Sequence, residues 1–234
     1  MVVLYPGYAG EADYVGITQR LGEAATIEVV HTPIDQDAHT VESLRAMGAP
    51  DLLKEQAGAL YPRPQAVVWG STSASFVFGW DGAHEQVRII GQAAQAPSTT
   101  TALAFVRAAE ELGVRRVSIA ATYPPDITDR FVEFLGRGGL DVIAAESANI
   151  FLAEEAGRVE PVEVRRMVVA SDRPDAEAVL VPDTALRTVE VVDEVEHQLG
   201  KLVLTANVVT AWAGLRLAGM QGRAVGLGAL FDRA

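Results

Sequence analysis

Two short stretches hold the side chains best suited to chemistry. WGSTSASF, Trp69 to Phe76, sets four hydroxyls, Ser71, Thr72, Ser73 and Ser75, into five positions directly after an apolar run. VPDTALRT, 181 to 188, sets Asp183 and Thr184 after another. A loop of small hydroxyl residues that opens a helix offers O–H and unpaired backbone N–H groups, a receptor for a carboxylate or an enediolate that needs neither lysine nor metal. Asp183 adds a carboxyl that, when protonated, can give a proton to such an anion. Both loops also have a plain structural reading. Ser71 or Ser73 can cap a helix beginning near Phe76, and Asp183 can cap one running through DTALRTVEVVDEVEHQL, because Ser and Asp are favoured N-caps. Tyr5 and Tyr123, followed by Pro6 and Pro124, end two further apolar runs. Their phenols can donate into a cleft or pack half-buried.

Composition excludes much else. There is no cysteine, which removes disulfides, thiolate metal sites and cysteine nucleophiles. Lysine occurs only at Lys54 and Lys201. His31, His39, His84 and His197 each stand alone in the sequence, so no metal site is expected. Of the four, His31, at the end of an apolar run, is the only one placed near the cleft. No GxGxxG follows the first apolar run and no GxxxxGK[ST] occurs; the glycines of MQGRAVGLGALF, 220 to 231, follow a helical pattern and read as a C-terminal turn. A net charge of −12, from 31 acidic and 19 basic residues, argues against a nucleic-acid partner, since phosphate contacts need clustered Lys and Arg. No apolar run approaches the roughly 20 residues needed to span a membrane, and MVVLYPGYAG lacks a basic flank and cleavage pattern. A soluble, cytoplasmic protein with no membrane partner is therefore expected.

The elements that must position these loops alternate throughout. Strands are expected at 2–6, 26–32, 66–70, 114–122, 141–147, 178–182 and 201–206, with helical patterns between them, the βαβ signature of a parallel sheet covered on both faces. TTALAFVRAAEEL, 100–112, places Leu103, Val106 and Leu112 near one face and stops at Gly113. The strands fall into two sets: one runs through Tyr5-Pro6 to Ser71-Thr72, the other through Tyr123-Pro124 to Asp183-Thr184. A duplicated unit of roughly 100 residues fits this spacing. Two facing units would bring all four strand ends to one cleft, and ligands of open α/β sheets bind beyond those ends.

The sequence resembles the aspartate/glutamate racemase superfamily, within it the arylmalonate decarboxylase and maleate cis-trans isomerase branch. LYPGYAG, GSTSASFVFG, PSTTTALAFVRAAEELGVRRVSIAATYPPDITDRF and LRLAGMQGRAVGLGALFD carry the likeness. The middle and C-terminal segments are similar to the decarboxylases, while DTALRT is similar to the isomerase motif Cys-Thr-Asn-Leu-Arg. The resemblance implies an α/β protein of two pseudo-symmetric Rossmann-like domains with four-stranded parallel sheets, 1–98 plus 208–234 and 99–207, and an active-site cleft between them. It further implies an enzyme, a lyase or an isomerase, that needs no cofactor and no metal. The substrate is a small carboxylate or dicarboxylate, and a homodimer is open as the assembly. The two cysteine positions of the racemases fall on Ser71 and Asp183, and the decarboxylase oxyanion pocket falls on Thr72, Ser73 and Tyr123, with Thr184 and Pro6 beside it. Lacking both thiols, the chain is expected to act as a decarboxylase through a stabilised enediolate with Asp183 in place of the cysteine. The alternatives are an isomerase or racemase using a non-thiol base, and an inactive carboxylate-binding protein.

Overall fold

In the computed structural model, which describes residues 1–221 and 223–232, strand β1 (Val2–Pro6) buries four successive side chains, Val2 to Tyr5. A strand apolar on both faces must be covered on both faces, which is the condition of a parallel sheet between helices. β1 pairs in parallel with β2 (Glu28–Thr32) on one side and β3 (Val67–Trp69) on the other, and β3 pairs with β4 (Ser98–Thr100), giving the order β2-β1-β3-β4. A second four-stranded parallel sheet repeats the pattern as β6-β5-β7-β8, from β5 (Arg116–Ala121), β6 (Asp141–Ser147), β7 (Ala178–Val181) and β8 (Leu202–Thr205). The two sets of strands read from the sequence are thus two equivalent sheets.

Among the described residues twelve α-helices flank them: α1 (Ala12–Leu21), α2 (Val41–Met47), α3 (Pro50–Gly58), α4 (Ser73–Phe76), α5 (Gly79–Ala94), α6 (Thr101–Glu111), α7 (Pro125–Arg137), α8 (Ala153–Gly157), α9 (Pro161–Ser171), α10 (Val192–Leu199), α11 (Ala206–Leu217) and α12 (Ala229–Asp232). Helices α3, α7 and α9 begin with proline at the first position, where the missing N–H costs nothing and φ is already helical. Helix α11 buries every residue from Ala206 to Leu215, as expected for a helix apolar all round. It follows β8 yet packs on β3 and β4 of the first sheet. Gly214 permits the approach: a Cβ there would lie 2.2 Å from Met1 Cε and 2.8 Å from Val68 Cγ2. An aromatic cluster joins the two halves, Phe76 and Phe105 lying 5.1 and 5.6 Å from Phe131 between ring centres.

Four sequence expectations are corrected. An eighth strand, β4, spans three residues and straddles position 98/99; its STT sequence lacks the apolar run that marks the others. Helix α6 buries Ala102, Phe105, Ala108 and Ala109 beside Leu103, whereas Val106 and Leu112 are only half-buried. The helix expected from Asp183 onward begins only at Val192, and that expected near Phe76 begins at Ser73 as a single turn. In the glycine-rich C-terminal stretch, Gly222 lies outside the described residues, and α12 forms at its end.

Candidate functional site

The C-terminal ends of β1, β3, β5 and β7 meet across the two sheets, and side-chain hydrogen bonds lock the loops that leave them. The Tyr5 hydroxyl, at the end of β1, shares its one proton between the Thr184 carbonyl at 2.8 Å and the Ala9 carbonyl. The Tyr123 hydroxyl, beyond β5, donates to the Pro182 carbonyl at 2.9 Å. Gly10 lets the β1–α1 loop touch the other half: at φ +80 it sits where a Cβ would lie 2.2 Å from the Thr184 carbonyl oxygen, a conformation and proximity open to glycine alone.

The loop carrying Asp183 is held from outside the second sheet. Asp13 of α1 is buried, and its Oδ2 accepts from the Thr188 and Val189 backbone N–H at 2.8 and 3.3 Å, from the Thr188 hydroxyl at 3.1 Å and from Asn207 Nδ2 at 3.1 Å. Asn207 also donates to the Thr184 and Leu186 carbonyls. Burial raises the Asp13 pKa, although these donors oppose the rise. Asp183 itself is 3% exposed. Its Oδ2 accepts from the Thr122 hydroxyl and its Oδ1 from the Ala185 N–H at 2.9 Å. The second contact, two residues on, is an Asx turn and not the helix cap that the sequence also allows.

Asp183, Thr184, Ser71, Ser73 and Pro6 line one cavity of about 30 Å³, together with Asp37, His39, Leu44 and Met47. That is room for about one water molecule. Thr72 and Tyr123 stand behind the wall. The Thr72 hydroxyl is fully buried and makes no hydrogen bond of ordinary geometry among the described residues, and with Ser73 it lies beside the Tyr123 phenol. The single phenolic proton of Tyr123 is directed at Pro182, so the expected donation into the cleft is not its resting geometry. Burial, reinforced by Asp183, pushes the Tyr123 phenol well above its ordinary value, and burial does the same to Tyr5. Both stay protonated donors at neutral pH. The surplus of hydroxyls divides by role: Ser71 Oγ accepts from the Ala74 N–H at 3.2 Å as a local cap, and Ser75 turns away to donate to Thr100 at 2.9 Å.

One expectation about the histidines is overturned. His31 is tied up beside the cleft, Nδ1 with the Gly7 carbonyl at 2.6 Å and Nε2 with Glu11 at 2.8 Å. The cavity is lined by His39. Its loop, between β2 and α2, is stitched to the β6–α8 loop by the Ala38–Leu152 bridge, by His39 N–H to the Phe151 carbonyl at 2.7 Å and by Glu154 N–H to Asp37 Oδ2 at 2.7 Å. The sequence signal for this loop was its place after a strand. Asp37 is raised by burial, with the Glu154 N–H and His39 opposing and Asp183 adding to the rise. Among the described residues no three His, Asp or Glu side chains gather to hold a metal.

An outer pocket of about 730 Å³ meets the cavity at Ala9 and Asp37 and is lined further by Tyr8, Ile34, Arg158 and Arg187. A groove of about 570 Å³ among Trp80, Leu103, Val106 and Leu140 lies at the opposite end of the strands, away from these carboxylates. Among the described residues no helix is long and apolar enough to cross a membrane.

The chain as a whole is similar to known proteins. An arylmalonate decarboxylase from Bordetella bronchiseptica is 32% identical over 141 residues, 59% of this chain and 59% of that protein. A maleate isomerase from Geobacillus stearothermophilus is 27% identical over 142 residues, 58% of this chain and 57% of that protein. The chain therefore aligns with somewhat under two thirds of the length of these relatives. A double mutant of arylmalonate decarboxylase solved in the liganded form superposes with a TM-score of 0.87 at 25% identity, covering 100% of this chain and 99% of that one. A Nocardia farcinica maleate cis-trans isomerase mutant carrying a covalently bound succinylcysteine intermediate reaches 0.90 at 19% identity, over 100% of this chain and 98% of that one, a likeness of fold. The family model described as Arylmalonate decarboxylase matches residues 41–231, more than half of the sequence, and the chain belongs to that family.

Proposed function

We propose that this protein is an enzyme that decarboxylates a small malonate-like acid without a cofactor, through an enediolate, with Asp183 as the proton donor. The observation that carries the reading is the placement of Asp183 on the same cavity wall as Ser71, Ser73 and Thr184. When the bond to the leaving carboxylate breaks, CO₂ departs and the electron pair passes into the remaining carboxyl, forming an enediolate. Hydroxyls of Ser73 and Thr72 are of the type that stabilises such an anion, Thr72 making no hydrogen bond of ordinary geometry among the described residues. Asp183, protonated, then gives its proton to Cα and recovers it from solvent.

The lack of cysteine bears on the choice of chemistry. A succinylcysteine, the intermediate named for the Nocardia isomerase mutant, has no sulfur to form on in this chain. Ser71 Oγ accepts from a backbone N–H and makes no hydrogen bond to a base among the described residues, and an unactivated hydroxyl is a weak nucleophile. Decarboxylation asks least of the missing groups. A substrate larger than a water molecule enters only when the clasp between residues 37–39 and 150–154 parts, which opens the cavity to the outer pocket. The second reading, isomerisation or epimerisation by a non-thiol base, is favoured by one observation, the presence of His39 on the cavity wall.

Asp183→Asn keeps the acceptor for Ala185 but has no proton to give. With phenylmalonate and methylmalonate as probes, kcat is expected to fall by at least about 10²-fold while malonate affinity by calorimetry stays within a few-fold. Undiminished turnover overturns the assignment of Asp183. Deuterium entering Cα from solvent without CO₂ release marks the isomerase reading, and tight malonate binding with no product from malonates or maleate marks a binding protein.

A further inference from the structure

His39 is a buried imidazole, 5% exposed, for which the decarboxylation scheme has no use. Its Nδ1 lies 3.0 Å from the Ile150 carbonyl. A carbonyl only accepts, so Nδ1 carries the proton of the neutral ring and Nε2 holds the lone pair. Nε2 makes no hydrogen bond among the described residues. The ring is held by the Ile150 carbonyl and by edge-on contact with Tyr123 at 4.8 Å and 79°, and its backbone is anchored by the N–H on the Phe151 carbonyl. A side chain that served only to clasp the two loops would need the Nδ1–H alone. The structure instead presents a pre-oriented ring, with one nitrogen unused, on the wall shared with Asp183, Ser71 and Ser73.

We infer that His39 is the second protonable group of the site: its Nε2 takes up a proton when a carboxylate anion enters the cavity, and the imidazolium then faces the bound acid together with Asp183. The inference rests on the carboxylate reading of the cavity. The groups that can share or oppose that charge are Asp37 on its own loop, Tyr123 after β5, Asp183 after β7, Tyr5 at the end of β1 and Glu154 on α8. The step balances as one proton from solvent forming one N–H bond on Nε2. In a protein without thiols, it supplies the counter-charge that the two lysines, Lys54 and Lys201, are not placed to give; Lys201 is bonded to Asp172 and to the Arg173 carbonyl.

The test is calorimetry of malonate binding near neutral pH in two buffers of different ionisation enthalpy, on the full chain and on His39→Asn. Asparagine can place its amide N–H where Nδ1–H was and keep the clasp, but it cannot bind a proton. The wild type is expected to take up as much as about one proton per malonate. The variant should take up none and bind roughly tenfold more weakly, while its unfolding temperature stays near that of the wild type. His39→Gln, with a different amide reach, gives the same comparison if the first variant unfolds. Equal proton uptake in wild type and variant, or none in the wild type, overturns the inference and leaves the carboxylate site standing. Uptake abolished by Asp183→Asn but kept by His39→Asn moves the proton to Asp183. Absence of malonate, phenylmalonate and maleate binding to the wild type sinks the carboxylate reading itself, and the inference with it.

Discussion

Replacing Asp13 tests whether the Asp183 loop is held from outside its own sheet. Asp13→Ala removes one oxygen that accepts four hydrogen bonds. The Thr188 hydroxyl can rotate and Asn207 keeps two carbonyl acceptors, so the unrelieved loss is the two backbone N–H groups of Thr188 and Val189. A buried donor left without a partner costs about 1–3 kcal/mol, or about 2–6 kcal/mol for the pair. Releasing a buried carboxylate, whose burial already raises its pKa, returns part of this, leaving about 3 kcal/mol. For a chain of this length that is roughly 6–12 °C in unfolding temperature, read by circular dichroism and urea titration. Asp13→Asn adds a pH arm. Because the folded pKa lies above the ordinary 3.8, the folded protein binds more protons than the unfolded between that value and the raised one. Asp13's contribution therefore falls as pH rises through this window. Asparagine has no such slope, so the deficit of Asp13→Asn should be largest below the window and shrink above it. A stability change under about 0.5 kcal/mol in Asp13→Ala, within the range of ordinary surface substitutions, would refute the reasoning.

Two further substitutions probe the same loop from its other contacts. Thr122→Val keeps the shape of the side chain but removes the hydroxyl that donates to Asp183; a buried acceptor left without its partner costs about 1–3 kcal/mol, expected as a matching loss in urea unfolding, and an unchanged midpoint argues that the bond is not made in solution. Gly10→Ala would put a Cβ 2.2 Å from the Thr184 carbonyl at φ +80; the expected loss is at least about 2 kcal/mol from left-handed strain plus the clash, and wild-type stability would mean that the two halves do not approach as closely as this.

The two sheets were legible in the sequence because parallel strands covered on both faces read as unbroken apolar runs, as VVLY and AVLV do. β4 was not. Its three residues are Ser and Thr, and what places them is backbone pairing with Val67–Trp69 and the cap that Thr100 offers to the Leu103 N–H at 3.3 Å. Neither leaves a periodicity to find. Asp183 was legible as a residue at a strand end, while its alternative reading as a helix cap gives way to an Asx turn, since the sequence alone does not distinguish a contact to the second following N–H from one to the third. The choice is made by Asp13 and Asn207, 170 and 24 residues away in number, which hold residues 184–189 out of a helix.

His39 marks where local reading stops. Its neighbours Asp37 and Thr40 are ordinary loop and cap residues, and nothing in TPIDQDAHT separates it from the three other histidines. It reaches the cavity because Ala38 pairs with Leu152 and its ring bonds Ile150, 111 positions away. A wall residue contributed by a strand end inherits its place from the sheet, whose period is written in the sequence; a wall residue contributed by a clasp between the two halves inherits its place from the closure of the molecule. The hydroxyl loop at Ser71 belongs to the first kind and His39 to the second, so residue types at strand ends identify the hydroxyl-bearing wall of the cavity, and only the closed structure identifies the imidazole beside it.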